Sequence, residues 1–229
     1  MDLADSTAFV TGANRGLGRH FAEQLLARGA TVYGGARNPD LIDLPGVIPV
    51  ALDVTDPESV AAAARVASGV SLLINNAGSF TGASLLRGSL DDIRLEMETH
   101  YFGTLDVTRA FAPQLAGGAV LNVLSVLSWV TAPTSAAYSA AKSAQWSLTN
   151  ALRIELAEQN TQVTALHVGY MDTDMARGVD APKSDPAAVA KLALDAVAAG
   201  DVEVLADDVS RRVQAGLSGG VAALYPKST

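Results

Sequence analysis

The stretch "TAFVTGANRGLGRHFAEQLLARG" runs from Thr7 to Gly29. Its opening, Thr7 to Gly12, is short and apolar and reads as a strand running into a turn. Its end, Leu17 to Gly29, reads as a helix with a glycine as its stop. Between them Gly12, Gly16 and Gly18 make a tight turn whose backbone N–H groups can approach an anion, with the positive end of a helix behind them. A simple helix-capping loop is the plainer alternative. A strand before the turn and a helix after it, at the very first βα unit, supply the context that a phosphate-binding turn requires. The spacing is Gly-x-x-x-Gly-x-Gly, not the Gly-x-Gly-x-x-Gly of the commonest dinucleotide fold. It also lacks the Lys-Ser/Thr pair of a nucleotide-triphosphate loop.

The same alternation continues outward. Further strands are expected in "ATVYGGA", "GVIPVALDV", "VSLLINNAG", "GAVLNVLSV", "TQVTALHVG" and "DVEVLA". Helices are expected in "DPESVAAAARVA", with an Asp cap and a Pro at its first position, from Ser135 to Gln159, and from Pro186 to Ala199. The run "SLDDIRLEMETHYFGTLDVTRAFAPQL" reads as two helices, or as one interrupted near Thr99 to Gly103. Near-continuously apolar strands alternating with helices predict an α/β fold: a Rossmann-type, doubly wound parallel sheet of about seven strands with helices on both faces, in three layers. Nothing forces a second domain on 229 residues, so residues 1–229 are expected to form one unit.

Composition narrows the functions. The formal net charge of -8 disfavours a nucleic-acid partner, which calls for a basic stripe. No cysteine is present, which removes disulfides, thiolate metal sites and a Cys nucleophile. Three scattered histidines, His20, His100 and His167, speak against a zinc site, and no metal is expected. No run approaches a membrane span and the N-terminus "MDLADS" lacks a signal-peptide core, so the expectation is a soluble, cytoplasmic protein without a membrane partner.

In "AAYSAAKSAQW" Tyr138 stands one helical turn before Lys142, and residues four apart share a helix face. With that pair, the glycine turn, "NNAG" at Asn75 to Gly78, "DVTD" at Asp53 to Asp56, and Ser125 thirteen residues before Tyr138, the chain resembles the short-chain dehydrogenase/reductase family in its single-domain branch. The match runs from about Thr7 to Thr173. The resemblance implies a nicotinamide dinucleotide held by Gly12, Asn14, Arg15, Gly16, Leu17, Gly18, Asp53, Val54, Asn75, Asn76, Ala77, Gly78, Tyr138, Lys142, Met171 and Thr173. It implies a catalytic set of Ser125, Tyr138 and Lys142, with His100 as a fourth member. It also implies a subunit interface on two long helices, hence a homodimer or homotetramer.

The cofactor choice turns on the residues after the second strand. Where NAD-users of the family carry an acid this chain has Ala36, and Arg37 is next to it; Arg15 lies within the glycine turn. Two guanidiniums can clamp a 2′-phosphate, so NADP(H) is expected. A free tyrosine titrates near ~10, too high for neutral acid–base work, and a neighbouring ammonium is expected to lower it. Tyr138 would then exchange a proton with a carbonyl or alcohol oxygen that Ser125 steadies, while the cofactor carries the hydride. The expected activity is that of an NADPH-dependent carbonyl reductase, reversible as an alcohol dehydrogenase on CH–OH groups. A non-catalytic protein that senses NADP(H) on the same fold is the alternative.

Three departures mark this chain off from the family pattern. His100 stands where an Asn is usual; there the resemblance implies a main-chain carbonyl that holds a water linked to the lysine. His100 either joins the proton relay or simply occupies the helix break. Val168-Gly169 replaces the usual Pro-Gly. The segment from Tyr170 to Pro186 is short for a substrate lid, and "DDVSRRVQAGLSGGVAALYP" is expected to add a helix at the end. The pocket is expected to be open or small, walled by Ser79, Phe80, Ser125, Trp129 and Tyr170, with Trp129 equally fit for a structural role.

Overall fold

A computed structural model describes residues 1–225. Seven strands form one sheet: β1 (Thr7–Thr11), β2 (Thr31–Ala36), β3 (Val47–Ala51), β4 (Leu72–Asn75), β5 (Ala119–Val123), β6 (Gln162–His167) and β7 (Glu203–Leu205). All neighbours pair in parallel, in the order β3-β2-β1-β4-β5-β6-β7. The edge strand β3 carries Pro49, which an interior strand would not tolerate for want of a ladder N–H.

The helices are α1 (Gly16–Ala27), α2 (Pro57–Val66), α3 (Leu90–Met97), α4 (Gly103–Phe111), α5 (Ala136–Glu155), α6 (Pro186–Ala199), α7 (Asp208–Gly216) and α8 (Gly220–Leu224). Strand side chains alternate between faces, and each face buries its own helices. On one face Ala8, Val10, Leu72 and Ile74 pack against Phe21 and Leu25 of α1 and Val189, Ala193 and Val197 of α6. On the other, Phe9 and Leu73 meet Val60 of α2, Val107 and Phe111 of α4, and Leu148 and Leu152 of α5. This is the three-layer Rossmann-type architecture that the alternation of strands and helices predicts.

Caps fall where expected. Asp56 accepts the Glu58 N–H at the start of α2, with Pro57 first in the helix, and Asp185 does the same for α6. At the seam between α3 and α4 the second of the two readings holds: Glu98–Phe102 form a π-helical turn, so one helix runs on with a widened turn as its interruption. One detail differs from the sequence expectations. The C-terminal addition is two helices, α7 and α8, joined by a 3-10 turn at Leu217–Gly219; Pro226, the last residue of the quoted stretch, lies outside the described residues. Among the described residues, no helix is long and apolar enough to cross a membrane, and no group of His, Asp or Glu is arranged to hold a metal.

Candidate active site

Strand order reverses between β1 and β4, so the loops after these two strands flank the crevice in which open α/β sheets bind ligands. The loop after β1 is the glycine turn. Gly12 and Gly16 take φ of +68° and +53°, a region that favours glycine. Gly18 is demanded by space: a Cβ there would lie 2.1 Å from the Gly12 carbonyl oxygen and 2.5 Å from the Asn76 amide. Helix α1 begins without a side-chain cap and without an acid in its first turn, which leaves its N-terminal amides to a ligand. These features fit an anion such as the pyrophosphate of a dinucleotide. Leu17 is buried in the core, so only its backbone faces the turn.

The loop after β4 is tied to the first by Thr11, whose hydroxyl accepts from the N–H of both Asn76 and Ala77 at 2.9 Å. The Asn76 amide donates to the Thr11 and Gly12 carbonyls at 2.9 and 3.3 Å and so shapes the turn. Asn75, grouped with the cofactor contacts from the sequence, has its amide spent inside the sheet. It donates to Thr108 Oγ1 at 3.0 Å and to Asn122 Oδ1 at 2.8 Å, because it sits within β4 with its side chain toward the helix layer. Asp53 is engaged too: its Oδ1 accepts from the N–H and the hydroxyl of Thr55, which orders the turn where Val54 packs under Gly103. Thr173 stands across the cleft, its methyl 3.4 Å from where a Cβ on Gly16 would be, and Met171 and Asn14 are half-buried nearby in sequence.

The two arginines differ. Arg15 pairs with Asp174 at 3.4 Å, both side chains being exposed, and Asp174 also receives Arg177. Arg37 is exposed and makes no hydrogen bond or ion pair among the described residues. Asp43 is taken by Arg19.

Tyr138 and Lys142 lie on α5 against the C-terminal end of β5. Ser125 caps the 3-10 turn Val126–Ser128: its hydroxyl accepts from the Leu127 N–H at 3.1 Å and donates to the Val168 carbonyl at 3.4 Å. The carbonyl at Val168 thus serves this serine and the Val126 N–H, a role that does not need the family's proline. Tyr138 is half-buried, with Phe80 edge-on at 5.5 Å and His100 edge-on at 5.1 Å between ring centres. Lys142 is buried; its ammonium lies 5.6 Å from the Tyr138 ring centre and donates to the Val123 carbonyl and to Gln145 Oε1, both at 2.8 Å. Burial pushes this amine down to about 7, with Glu96 pulling the other way. Burial pushes the Tyr138 phenol up, Glu96 adds to that, and the neighbouring Ser125 hydroxyl pulls it back. The Lys142 ammonium is turned toward the Val123 carbonyl and Gln145 rather than toward the phenol.

His100 lies within the π turn and is buried. Its Nε2 is 2.9 Å from the Ser79 carbonyl oxygen and 3.3 Å from Glu96 Oε2, two acceptors that place the proton on Nε2. Burial drives the imidazole down to about 4, so it is neutral at ordinary pH. Nδ1 then remains an acceptor with no partner among the described residues. A Cβ at Gly78 would meet His100 Cε1 at 2.9 Å, so a histidine here requires a glycine there. Glu96 is fully buried. Burial raises its carboxyl, and hydrogen bonds from His100 and Thr81 outweigh that and hold it below the usual range. Glu96 and Gln145 escaped the sequence reading; their spacings from His100 (four) and Lys142 (three) were the available signals.

Phe80 and Tyr170 are exposed at the surface, and Ser79 is half-buried. Trp129 has other ring partners than Tyr138: it stacks on His167 at 3.8 Å and meets Trp146 edge-on. His167 is a fully buried core histidine, 3.3 Å from the Ser125 carbonyl and pushed down to about 4 by burial.

The doubly wound sheet has a glycine turn at its switch point, and Tyr138 and the buried Lys142 share one helix, α5. The chain belongs to the short-chain dehydrogenase family: the family model described as "short chain dehydrogenase" matches residues 6–184. It superposes with a TM-score of 0.94 on a short chain dehydrogenase from Burkholderia cenocepacia J2315 in complex with NADP, at 40% identity over 98% of both chains. It is 32% identical to the NADPH-dependent 1-acyldihydroxyacetone phosphate reductase of Schizosaccharomyces pombe over 74% of this chain and 61% of that enzyme. It is 32% identical to carbonyl reductase (NADPH) 2 of Sus scrofa over 84% and 81% of the two chains. The chain spans about three fifths of the length of several curated relatives, the Schizosaccharomyces reductase among them.

Proposed function

We propose that this protein is an NADPH-dependent reductase of small carbonyl compounds, with Tyr138 as the proton donor. The observation that carries the reading is the setting of Tyr138: a half-buried phenol held protonated by burial, with Ser125 beside it and Lys142 one turn on. Burial keeps the phenol in its protonated, donor form while making it a weaker acid, so the transfer is driven by the negative charge that develops on the substrate oxygen. Ser125 hydrogen-bonds the substrate carbonyl oxygen, and Tyr138 delivers its proton to that oxygen as negative charge develops there. Gly12, Arg15, Gly16 and Gly18 would hold the cofactor's phosphates, Lys142 its nicotinamide ribose, and Thr173 its nicotinamide end. Arg37, exposed and unpaired among the described residues, would receive the 2′-phosphate. When bound, NADPH supplies the hydride. The names of the Burkholderia, Schizosaccharomyces and Sus relatives support the cofactor, and the last supports the substrate class. The test is turnover with NADPH on a panel of ketones and aldehydes, with Tyr138→Phe as control. Phenylalanine should bind NADPH almost normally and lose ~10²–10⁴-fold in turnover, the range for one acid–base group. Full activity in Tyr138→Phe on a substrate that the wild type reduces refutes the mechanism.

A further inference from the structure

Glu96 is the one residue of α3 that is fully buried, at the position where an amphipathic helix would place a leucine. A buried carboxylate is expensive unless its oxygens are satisfied. Here they are, and by one short loop. Oε1 accepts the Thr81 N–H at 2.5 Å, and Oε2 accepts the Ser79 hydroxyl at 3.0 Å. His100 Nε2, 3.3 Å from the same Oε2, donates to the Ser79 carbonyl at 2.9 Å. Two buried side chains from the α3–π segment therefore grip Ser79 and Thr81. Phe80 lies between the gripped residues, has no buried site of its own at 45% exposure, and stands edge-on to Tyr138.

We propose that Glu96, acting with His100, is a positioning residue for the substrate: it fixes Ser79–Thr81 so that Phe80 forms an apolar wall beside Tyr138. The inference rests on the reductase reading above and adds that the carbonyl substrate carries an apolar group on its Phe80 side. The wall is a loop residue, and loops without such ties move. A carboxylate, unlike a leucine, gives the loop two directional hydrogen bonds, and their geometry sets where the ring stands.

The experiment has two arms on the full chain. Hydrogen–deuterium exchange of the segment 78–83 reads the clamp without any turnover. In Glu96→Ala the Thr81 amide should lose its protection while the β4 and β5 amides keep theirs. Steady-state kinetics on a carbonyl compound reduced by the wild type, with NADPH saturating, reads the consequence. Glu96→Ala should raise KM about tenfold with kcat within about threefold and NADPH affinity unchanged, the pattern of lost substrate positioning. Phe80→Ala should do the same, and the double variant should be no worse than either single one, because both remove one wall. Glu96→Gln keeps an oxygen for Thr81 but turns an amide toward the His100 N–H, so it should show the same signs at about a third of the size. It serves if the alanine variant does not fold. Unchanged exchange in the Glu96 variants overturns the clamp, and additive effects of Glu96→Ala and Phe80→Ala overturn the shared wall. A wild type that reduces nothing on the panel fails the reductase reading, and the exchange arm still decides the clamp.

Discussion

Replacing Lys142 by methionine removes an ammonium that the fold holds at a cost. Its side chain is 4% exposed, its two partners are a carbonyl and a neutral amide, and burial moves it from the ordinary 10.5 down to about 7. The unfolded chain keeps its proton up to the ordinary value, so between these two limits the unfolded state binds more protons than the native one. Stability must then rise with pH through that window, by about 1.4 kcal/mol for each pH unit in which it is open. Below about 7 both states hold the proton and the penalty is complete. The raised Tyr138 has the opposite sign, but its window opens only above an ordinary tyrosine's value, near ~10. Between pH 6 and pH 9 the wild type without cofactor should therefore gain about 2–3 kcal/mol on Lys142→Met. Guanidinium unfolding of both proteins at pH 6, 7, 8 and 9 measures the difference, with equal m-values required for the comparison. Parallel stability–pH curves would refute the argument and mean that Lys142 keeps its ordinary affinity for the proton.

Arg37→Ala should erase a preference for NADPH over NADH of at least ~10-fold, or about 1.4 kcal/mol, measured by fluorescence titration of both cofactors; equal affinities in the wild type would remove the basis for an arginine clamp. Gly18→Ala drives a Cβ into the Gly12 carbonyl at 2.1 Å, so it should cost about 1–3 kcal/mol of stability by thermal melting and abolish cofactor binding; a variant that binds NADPH normally contradicts the close approach. Helices α4 and α5 carry apolar residues on more than one face, with exposed Phe102 just before α4 and exposed Ile154 in the last turn of α5, so a dimer or tetramer is expected by light scattering at micromolar concentration; a monomer mass rules it out.

The strands were legible because each is a short apolar run ending in a turn signal, and the glycine turn because its helix begins where the strand stops. The seam at Glu98–Phe102 was only half legible. A π turn adds one residue without disturbing the apolar pattern on either side, so periodicity registers an irregularity and not its kind. Tyr138, Lys142 and Ser125 announced themselves through spacing, whereas Glu96 did not. A glutamate on a short charged helix reads as solvated, and its burial depends on a loop that approaches from fifteen residues earlier. Arg15 poses the same difficulty in reverse, since its partner Asp174 is 159 residues away and no local pattern links them. The direction of the Tyr138 shift is hidden from the sequence for a related reason: helical spacing says that a lysine is near, but not that the phenol is dehydrated within reach of the buried Glu96.

A polar thread runs across the middle of the molecule, from Thr108 through Asn75 and Asn122 to Thr149 and the Gln145 carbonyl. Asn75 and Asn122 face each other across β4 and β5. During folding, these strands have a tempting wrong answer. Sliding one past the other by two residues preserves which side chains point to which face, and a wholly apolar sheet would barely resist it. Here the slide would strand two amides and two hydroxyls in a dry interior, at about 1–3 kcal/mol each. The asparagines therefore act as a vernier, admitting one alignment and rejecting its nearest neighbour. Because the loops after β4 and β5 carry Gly78 and Ser125, a mispaired chain could still look folded, yet its two halves of the crevice would arrive at different heights.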